Sequence, residues 1–538
     1  MQTNCTYLPY PDTHSFSKLV LDYLNADEKL QPFYQHPVSL EGMKKSINAR
    51  RTFTTNRKVL VDELSHQYAG YELTPVQQAN LLLLMQENTF TITTAHQPNI
   101  FTGHLYFIYK ILHTIKLCQL LKEELPENQY VPVFYMGSED ADLDELGHIN
   151  VDGEKLEWET NQTGAVGRMH TNGLEKIIER LEGEFGNLPY GEEMKRLCTE
   201  AYTKHDNIQT ATLYLVNELF KNYGLLVLIP DNANLKRLFN SIVKKELTEQ
   251  FSHKLVAETI AQIGEHYKVQ AGGRDLNLFY LDDSGKRERI ELINATFQVP
   301  NLGLIFTESA MLQELEEHPE RFSANVILRG VFQEMILPNI AFIGGGGELA
   351  YWLELKKVFE AVNVPYPMLI LRNSFLIIEP KQKRLMNALQ LTVPQLFLGE
   401  MELQNLLTER STKNRLKLDE EEEQVNQLYA QMQWLAAAVD PTLQPHVASL
   451  HTRSLQSIHG LEKKMLRAEK RKNTDQHKQL SNLRSAICPN NSLQERVDNF
   501  MPLYAKYGKD LIDVLYQHSL GLEGQFGIVE ILAAEPHN

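Results

Sequence analysis

The sequence predicts an α/β protein, a parallel-sheet core covered by helices and joined to an antiparallel helical coiled coil. Three observations predict it. Up to about Glu379, short apolar runs alternate with helical patterns. One of these runs passes straight into four glycines and leaves as an amphipathic helix. Beyond roughly Leu398 the composition turns to Gln, Glu, Lys, Arg, Leu and Ala, with apolar residues at heptad spacing.

The sheet is expected from TFTITTA (Thr89 to Ala95), VPVFYM (Val131 to Met136), LLVLIP (Leu225 to Pro230) and LILRNSFLIIE (Leu369 to Glu379), with a further strand entering the glycines at Gly344. Such near-continuous apolar runs belong to strands covered on both faces. Two stretches, about 153–205 and 250–325, read as insertions. The first is polar and glycine-punctuated, and GRDLNLFYLDD (Gly273 to Asp283) in the second reads as a hairpin turning at Ser284 and Gly285. The core therefore spans 1–397 with these insertions, the coiled coil 398–486, and a segment 487–538 returns to the core.

In the coiled coil, Val425, Leu428, Met432, Leu435 and Val439 repeat at steps of three and four, as do Ile458, Leu461, Met465 and Ala468. Asp440-Pro441 and Pro445 stop the first helix, so the two fold back as a hairpin. The acids Asp419 to Glu423 are expected to face Lys463, Lys464 and Arg467, which sets register more than stability. A long hairpin exposes apolar positions beyond its own seam, so a homodimer through the coiled coil is expected.

At 538 residues and 43% hydrophobic content the chain can bury a large core. A net charge of −16 opposes nucleic-acid or anionic-membrane partners and favours small molecules. The four cysteines are far apart and lack zinc spacing, and no metal site is expected. Without a signal-peptide pattern or a stretch approaching ~20 apolar residues, the expectation is a cytoplasmic protein.

The glycines Gly344, Gly345, Gly346 and Gly347 lead into a helix whose N-terminus offers N–H groups to an anion, with Glu348 just inside it. A Walker loop would need Lys and Ser or Thr where Glu348 stands. Gly345, Gly347 and Ala350 fit G-x-G-x-x-A, but the chain about 20 residues on reads LILRNS and lacks the acidic ribose partner. The packing alternative is a tight turn held down by Leu349, Trp352, Leu355 and Phe359.

In TTAHQPNIFTGHLYFIYK (Thr93 to Lys110) a strand runs through a polar loop into a helix with Leu105, Ile108, Leu112 and Ile115 on one stripe. Open α/β sheets bind ligands at such strand ends. His96, Gln97, Asn99, Thr102 and His104 supply donors and acceptors. Against the H-x-G-H signature of class I nucleotidyl-transfer enzymes, Phe101-Thr102-Gly103-His104 lacks the first histidine, and no K-M-S-K-S loop is found. After VPVFYM come Glu139, Asp140, Asp142, Asp144 and Glu145. An EF-hand reading fails because Glu145 occupies its glycine and Val151 its last ligand. These carboxylates could capture an ammonium group, act as base toward an amine, or hold Mg²⁺ with phosphates. Capping fits Asp144 and Glu145 better than Glu139 and Asp140.

Taken together, the Q-x-x-x-x-T-G loop at Gln97 to Gly103, the LYFIYK helix, VPVFYMGSEDADLDEL, RDLNLF, Leu328 to Phe359 and LRNSF at Leu371 to Phe375 resemble the bacillithiol-biosynthesis cysteine-adding (BshC) family. The chain departs from it at His104, where the family often has proline, and at Gly345-Gly346-Gly347-Glu348, where it often has G-P-G-E. The resemblance implies a Rossmann-like core with connecting-peptide insertions and a coiled-coil domain that forms a dimer. It also implies the joining of the cysteine carboxyl group to the amine of glucosaminyl-malate. That condensation needs an activated carboxyl, hence ATP, through an adenylate or an acyl phosphate, with Mg²⁺ allowed. Asp140, Glu139 and His96 are then the catalytic candidates. Gln97, Thr102, Gly103, His104, the four glycines and Glu348 are those for nucleotide, and Asn99, Asp142, Arg372 and Asn373 those for substrate. The alternative is a non-catalytic nucleotide-binding scaffold acting through its coiled coil.

Overall fold

The apolar runs form a five-stranded sheet in the computed structural model, which describes residues 1–412 and 414–533. Its strands are β1 (Thr89–His96), β2 (Gln129–Met136), β3 (Leu226–Leu228), β4 (Asn339–Gly344) and β5 (Met368–Leu371). All neighbours pair in parallel, in the order β5-β4-β1-β2-β3. The chain builds outward from β1 to β3, then returns to lay β4 on the other side of β1. The carboxyl ends of β1 and β4 thus flank the point where strand order reverses, the place where open sheets leave a crevice.

Three helices frame that crevice: α1 (Tyr106–Glu124), α2 (Val326–Ile336) and α3 (Gly346–Leu353). α1 packs on β1 and β2 with Leu105, Ile108, Leu112 and Ile115 buried, as their spacing predicts. α3 is held down by Trp352, whose ring stacks on Phe342 of β4 at 4.5 Å between centroids. Gly330 of α2 is small by necessity, since a Cβ there would lie 3.1 Å from the same indole.

The run LILRNSFLIIE is two strands rather than one. β5 ends at Leu371, and Ser374–Ile378 joins a separate three-stranded sheet with Gln525–Ile531 and Thr3–Pro9. Polar residues make the break. The Arg372 N–H still donates to Gly344 O at 2.8 Å, whereas the Asn373 side chain exchanges two 3.1 Å hydrogen bonds with the Leu520 backbone. In the second insertion, Leu278–Leu281 pairs antiparallel with Arg287–Arg289. The turn is closed by Asp282, which accepts from the N–H groups of Ser284 and Lys286.

Residues 378–491 form a helical unit of their own. It starts ahead of the composition change at 398, because Pro380–Ala388 packs on Thr474–Ile487 within it. Its hairpin consists of α4 (Asp419–Val439) and α5 (Gln444–Lys470), separated at Pro441 as expected. The seam differs from the heptad reading. The helices meet through Glu422 and His459, Asn426 and His451, and Tyr429 and Ser454. Leu428, Met432, Leu435 and Val439 are exposed, as are Trp434, Leu461 and Ala468, whereas Val425, Ile458 and Met465 are half-buried, so most of the α4 stripe lies outside the hairpin. The acidic run also chooses another partner: Glu420 and Glu421 pair with Arg415 rather than with Lys463, Lys464 or Arg467.

Candidate active site at the strand-order reversal

A cavity of about 600 Å³ opens between the carboxyl ends of β1 and β4. Of the residues singled out in the sequence, His96, Gln97, Asp140, Gly345, Gly346, Gly347, Glu348 and Arg372 line it. Asn99, Thr102, Gly103, His104, Glu139, Asp142, Gly344 and Asn373 lie outside its lining.

The glycine turn works by leaving space, not by left-handed backbone. Gly345 has φ −73°, and none of the four glycines has positive φ. A Cβ on Gly347 would meet nothing within 4 Å, whereas one on Gly344 would lie 2.8 Å from Phe342. Gly344 is therefore a packing glycine and Gly347 an open one. The first turn of α3 presents N–H groups that have no intrahelical partner. Glu348 takes one position there, accepting from Gly345 N at 2.8 Å and from Lys110 Nζ at 2.6 Å. Lys110 is fully buried on α1 and also donates to Ala95 O at 2.7 Å. Burial lowers the Lys110 pKa, and Glu348 opposes that shift.

The loop after β1 turns most of its polar groups inward. Phe101, Thr102 and Gly103 all have positive φ, at 48°, 66° and 63°. For a β-branched residue this is strained, so the surroundings must impose it. Asn499 Nδ2 donates to Phe101 O at 2.8 Å and Gly103 O at 2.6 Å, and the Phe101 N–H donates to Tyr202 OH at 2.5 Å. Asn99 and Thr102 are buried in this clamp, and His104 Nδ1 lies 3.0 Å from Val497 O. His96 remains at the cavity, packed against Tyr106 and Phe107 with its Nε2 unpartnered. Burial, then Lys110, holds its pKa well below the ordinary value, so the imidazole is neutral near pH 7.

The two acids after β2 separate. Asp140 reaches the cavity, with Arg287 Nη1 3.5 Å from its Oδ1. Glu139 turns away into a buried cluster against Lys236, which also lies 3.3 Å from Asp231, and it accepts from Ser323 Oγ at 3.1 Å. Asp142 caps the short helix Leu143–Leu146, its Oδ1 accepting from Glu145 N at 3.4 Å. Glu145, which reads as a capping acid, lines the cavity instead, and burial followed by Asp142 and Asp140 raises its pKa.

The cations were harder to find from sequence. Arg372 borders the cavity, but its Nη2 is 2.8 Å from the fully buried Glu495, so its charge is already matched. Arg329 and Arg496 also line the cavity and make no ion pair among the described residues. Arg329 donates to Tyr351 OH at 2.5 Å. Burial opposes its charge, yet Tyr351, Tyr135 and Asp140 hold it firmly protonated. Among the described residues no group of three or more His, Cys, Asp or Glu side chains could hold a metal ion. No helix among them is long and apolar enough to cross a membrane. The missed residues carried weak signals at best. Lys110 interrupts an apolar helix, which marks it in hindsight, whereas Arg329 and Arg496 look like ordinary surface charges in sequence.

Comparison with known proteins agrees with this architecture. A model described as "Bacillithiol biosynthesis BshC, N-terminal Rossmann-like domain" matches residues 1–373, and one described as "Bacillithiol biosynthesis BshC, C-terminal coiled-coil domain" matches residues 375–531. A protein of Flavobacterium johnsoniae named "Putative cysteine ligase BshC" is 40% identical over 533 residues, covering 99% of this chain and all of its own. Same-named proteins of Flavobacterium psychrophilum and Christiangramia forsetii are each 38% identical over 98% of this chain, and over 100% and 99% of their own.

Proposed function

The chain belongs to the BshC family of bacillithiol biosynthesis, and on that premise we propose that it is the ATP-dependent ligase joining the carboxyl group of cysteine to the amine of glucosaminyl-malate. One observation carries this reading. At the reversal of strand order a single cavity brings together the open first turn of α3, unpaired guanidinium groups and the carboxylate of Asp140.

The lining suits a nucleotide. Gly347 keeps the approach to the α3 N–H groups clear, Gln97 adds a polar side chain, and Arg329 supplies a positive charge that forms no ion pair among the described residues. ATP, when bound, supplies the activation that a carboxylate requires before an amine can displace an oxygen from it. Mg²⁺ would enter on its phosphates, since a cation of that kind uses few protein ligands.

The chain's own residues then have distinct tasks. Asp140 binds the acceptor's ammonium and takes its proton, leaving the free amine to attack. Its neighbour Arg287, 3.5 Å away, helps to fix the position of the carboxylate. The α3 N-terminus and Arg329 stabilise negative charge that develops at the cysteine carboxyl, a role suited to fixed dipoles in a partly enclosed site. His96, neutral, offers a hydrogen bond rather than a strong base. Lys110 and Glu348 hold the glycine turn against the end of β1.

The exposed stripe of Leu428, Met432, Leu435 and Val439 supports association of two chains through the coiled coil. The scaffold alternative has less behind it, because a scaffold does not require Asp140 to face nucleotide-type features across one cavity. Incubating the purified protein with ATP, cysteine and glucosaminyl-malate tests the proposal. Product that depends on all three supports it, and absence of product from active, folded protein refutes it.

A further inference from the structure

A second, smaller compartment of about 270 Å³ adjoins the main cavity and shares Asp140, Asn325 and Val326 with it. It is built by the second insertion. Leu276 and Leu278 form its buried floor, and Arg274, Arg287 and Arg289 border it. The three arginines are not equivalent. Arg287 lies over the Phe279 ring, donates through Nε to Ser323 Oγ at 2.9 Å and through Nη2 to Ala324 O at 3.0 Å, and faces Asp140. Its charge and most of its donors are engaged. Arg274 and Arg289 are exposed residues and form no ion pair among the described residues.

This arrangement is bipolar. A carboxylate stands at the junction with the main cavity, and two free guanidinium forks stand beyond it. A ligand that fits carries a cation at one end and two planar anions at the other, since each guanidinium matches a carboxylate with paired N–H donors. The glycine turn takes no part in the compartment's lining, so nucleotide phosphates already have a better seat elsewhere. Resting on the ligase reading above, we propose that Arg274 and Arg289 bind the dicarboxylate portion of the amine acceptor and thereby select it over amines lacking that group. Asp140 then meets the ammonium of the same molecule at the junction.

Calorimetric titration of full-length protein with glucosaminyl-malate, glucosamine and ATP tests this, using Arg274→Gln/Arg289→Gln and the charge-retaining Arg274→Lys/Arg289→Lys. The expected result is a tenfold or greater weakening of glucosaminyl-malate by the glutamine pair and partial recovery by the lysine pair. Glucosamine and ATP affinities should move less than twofold. Equal glucosaminyl-malate affinity in wild type and the glutamine pair overturns the proposal, as does no binding to wild type. A loss that falls on ATP assigns the compartment to phosphates and also overturns it. Turnover separates the two levels. A wild type that ligates while the glutamine pair binds normally defeats only this compartment's role. A wild type that binds through these arginines but never ligates defeats the functional reading instead.

Discussion

Lys110 Nζ lies 2.6 Å from Glu348 Oε2, joining the helix that follows β1 to the helix that follows β4 across the mouth of the sheet. The lysine is 1% exposed and the glutamate 22%. A charge so buried is tolerated only because its partner and Ala95 O complete its hydrogen bonds. Lys110→Met should therefore destabilise the protein by about 3 kcal/mol, the scale for breaking a buried pair from one side. Adding Glu348→Gln should recover part of that loss, and a double-mutant cycle in urea measures the coupling.

The glycine turn separates space from packing. Gly347→Ala should leave the melting temperature unchanged or slightly raised, because alanine favours a helix and meets no atom within 4 Å. ATP affinity should still fall several-fold, as the methyl group enters the cavity. Gly344→Ala should do the reverse, its Cβ pressing on Phe342 and Leu349. Isothermal titration and thermal melting on both variants check the contrast.

The two neighbouring acids should fail differently. Glu139→Gln leaves Lys236 with less compensation in a buried cluster, so stability should fall by about 2 kcal/mol. Asp140 is partly exposed at the cavity, and Asp140→Asn keeps its shape, so its stability should stay within about 0.5 kcal/mol. Chemical denaturation of the two variants is the check.

Glu354 gives the pH dependence. Burial raises its pKa from 4.5 to about 7, although the N–H groups of Gln270 and Ala271 partly oppose this. A carboxyl with a higher pKa in the fold than in the unfolded chain holds its proton preferentially in the fold. Its contribution is present below about pH 4.5 and is lost as pH rises through 7. Glu354→Gln removes the buried charge, so the variant should gain on wild type between pH 5 and 8 by about 1 kcal/mol, once solvent screening is allowed for. Thermal melts across that range show it as a flatter profile. Gln270 lines the cavity, so ATP affinity in the same variant reports whether the segment stays in place.

The exposed stripe on α4 should make the protein a dimer. Trp434 is 72% exposed and Val439 83%, values that an isolated hairpin gains nothing from. Leu435→Ser/Val439→Ser should shift the mass in light scattering from two chains to one without lowering the melting temperature.

The sheet was legible because strands covered on both faces read as continuous apolar runs, and because four glycines marked one strand end. The break at Arg372 and Asn373 was hidden by the same rule: apolar runs on either side of two polar residues look like one strand. His96 closes β1 and Asp140 stands four residues beyond β2, so both could be placed near the strand ends that form the cavity. Thr102 and His104 could not, since the inward turn of their loop is imposed by Asn499 and Tyr202, which are remote in sequence. The same remoteness hid Glu495, which neutralises Arg372, and the pairing of Arg329 with Tyr351. Heptad spacing found the apolar stripe of the coiled coil but could not tell whether it faces the hairpin or a second chain.

The most direct measurement is product formation by wild type and Asp140→Asn with ATP, cysteine and glucosaminyl-malate, followed by mass spectrometry alongside ATP affinity. The expected result is wild-type ligation that needs all three compounds, with turnover in the variant down at least 100-fold, the scale of losing a general base, and ATP bound as before. Wild-type turnover in Asp140→Asn would contradict the assignment of the amine to this carboxylate and, with it, the cavity as the place where the bond forms.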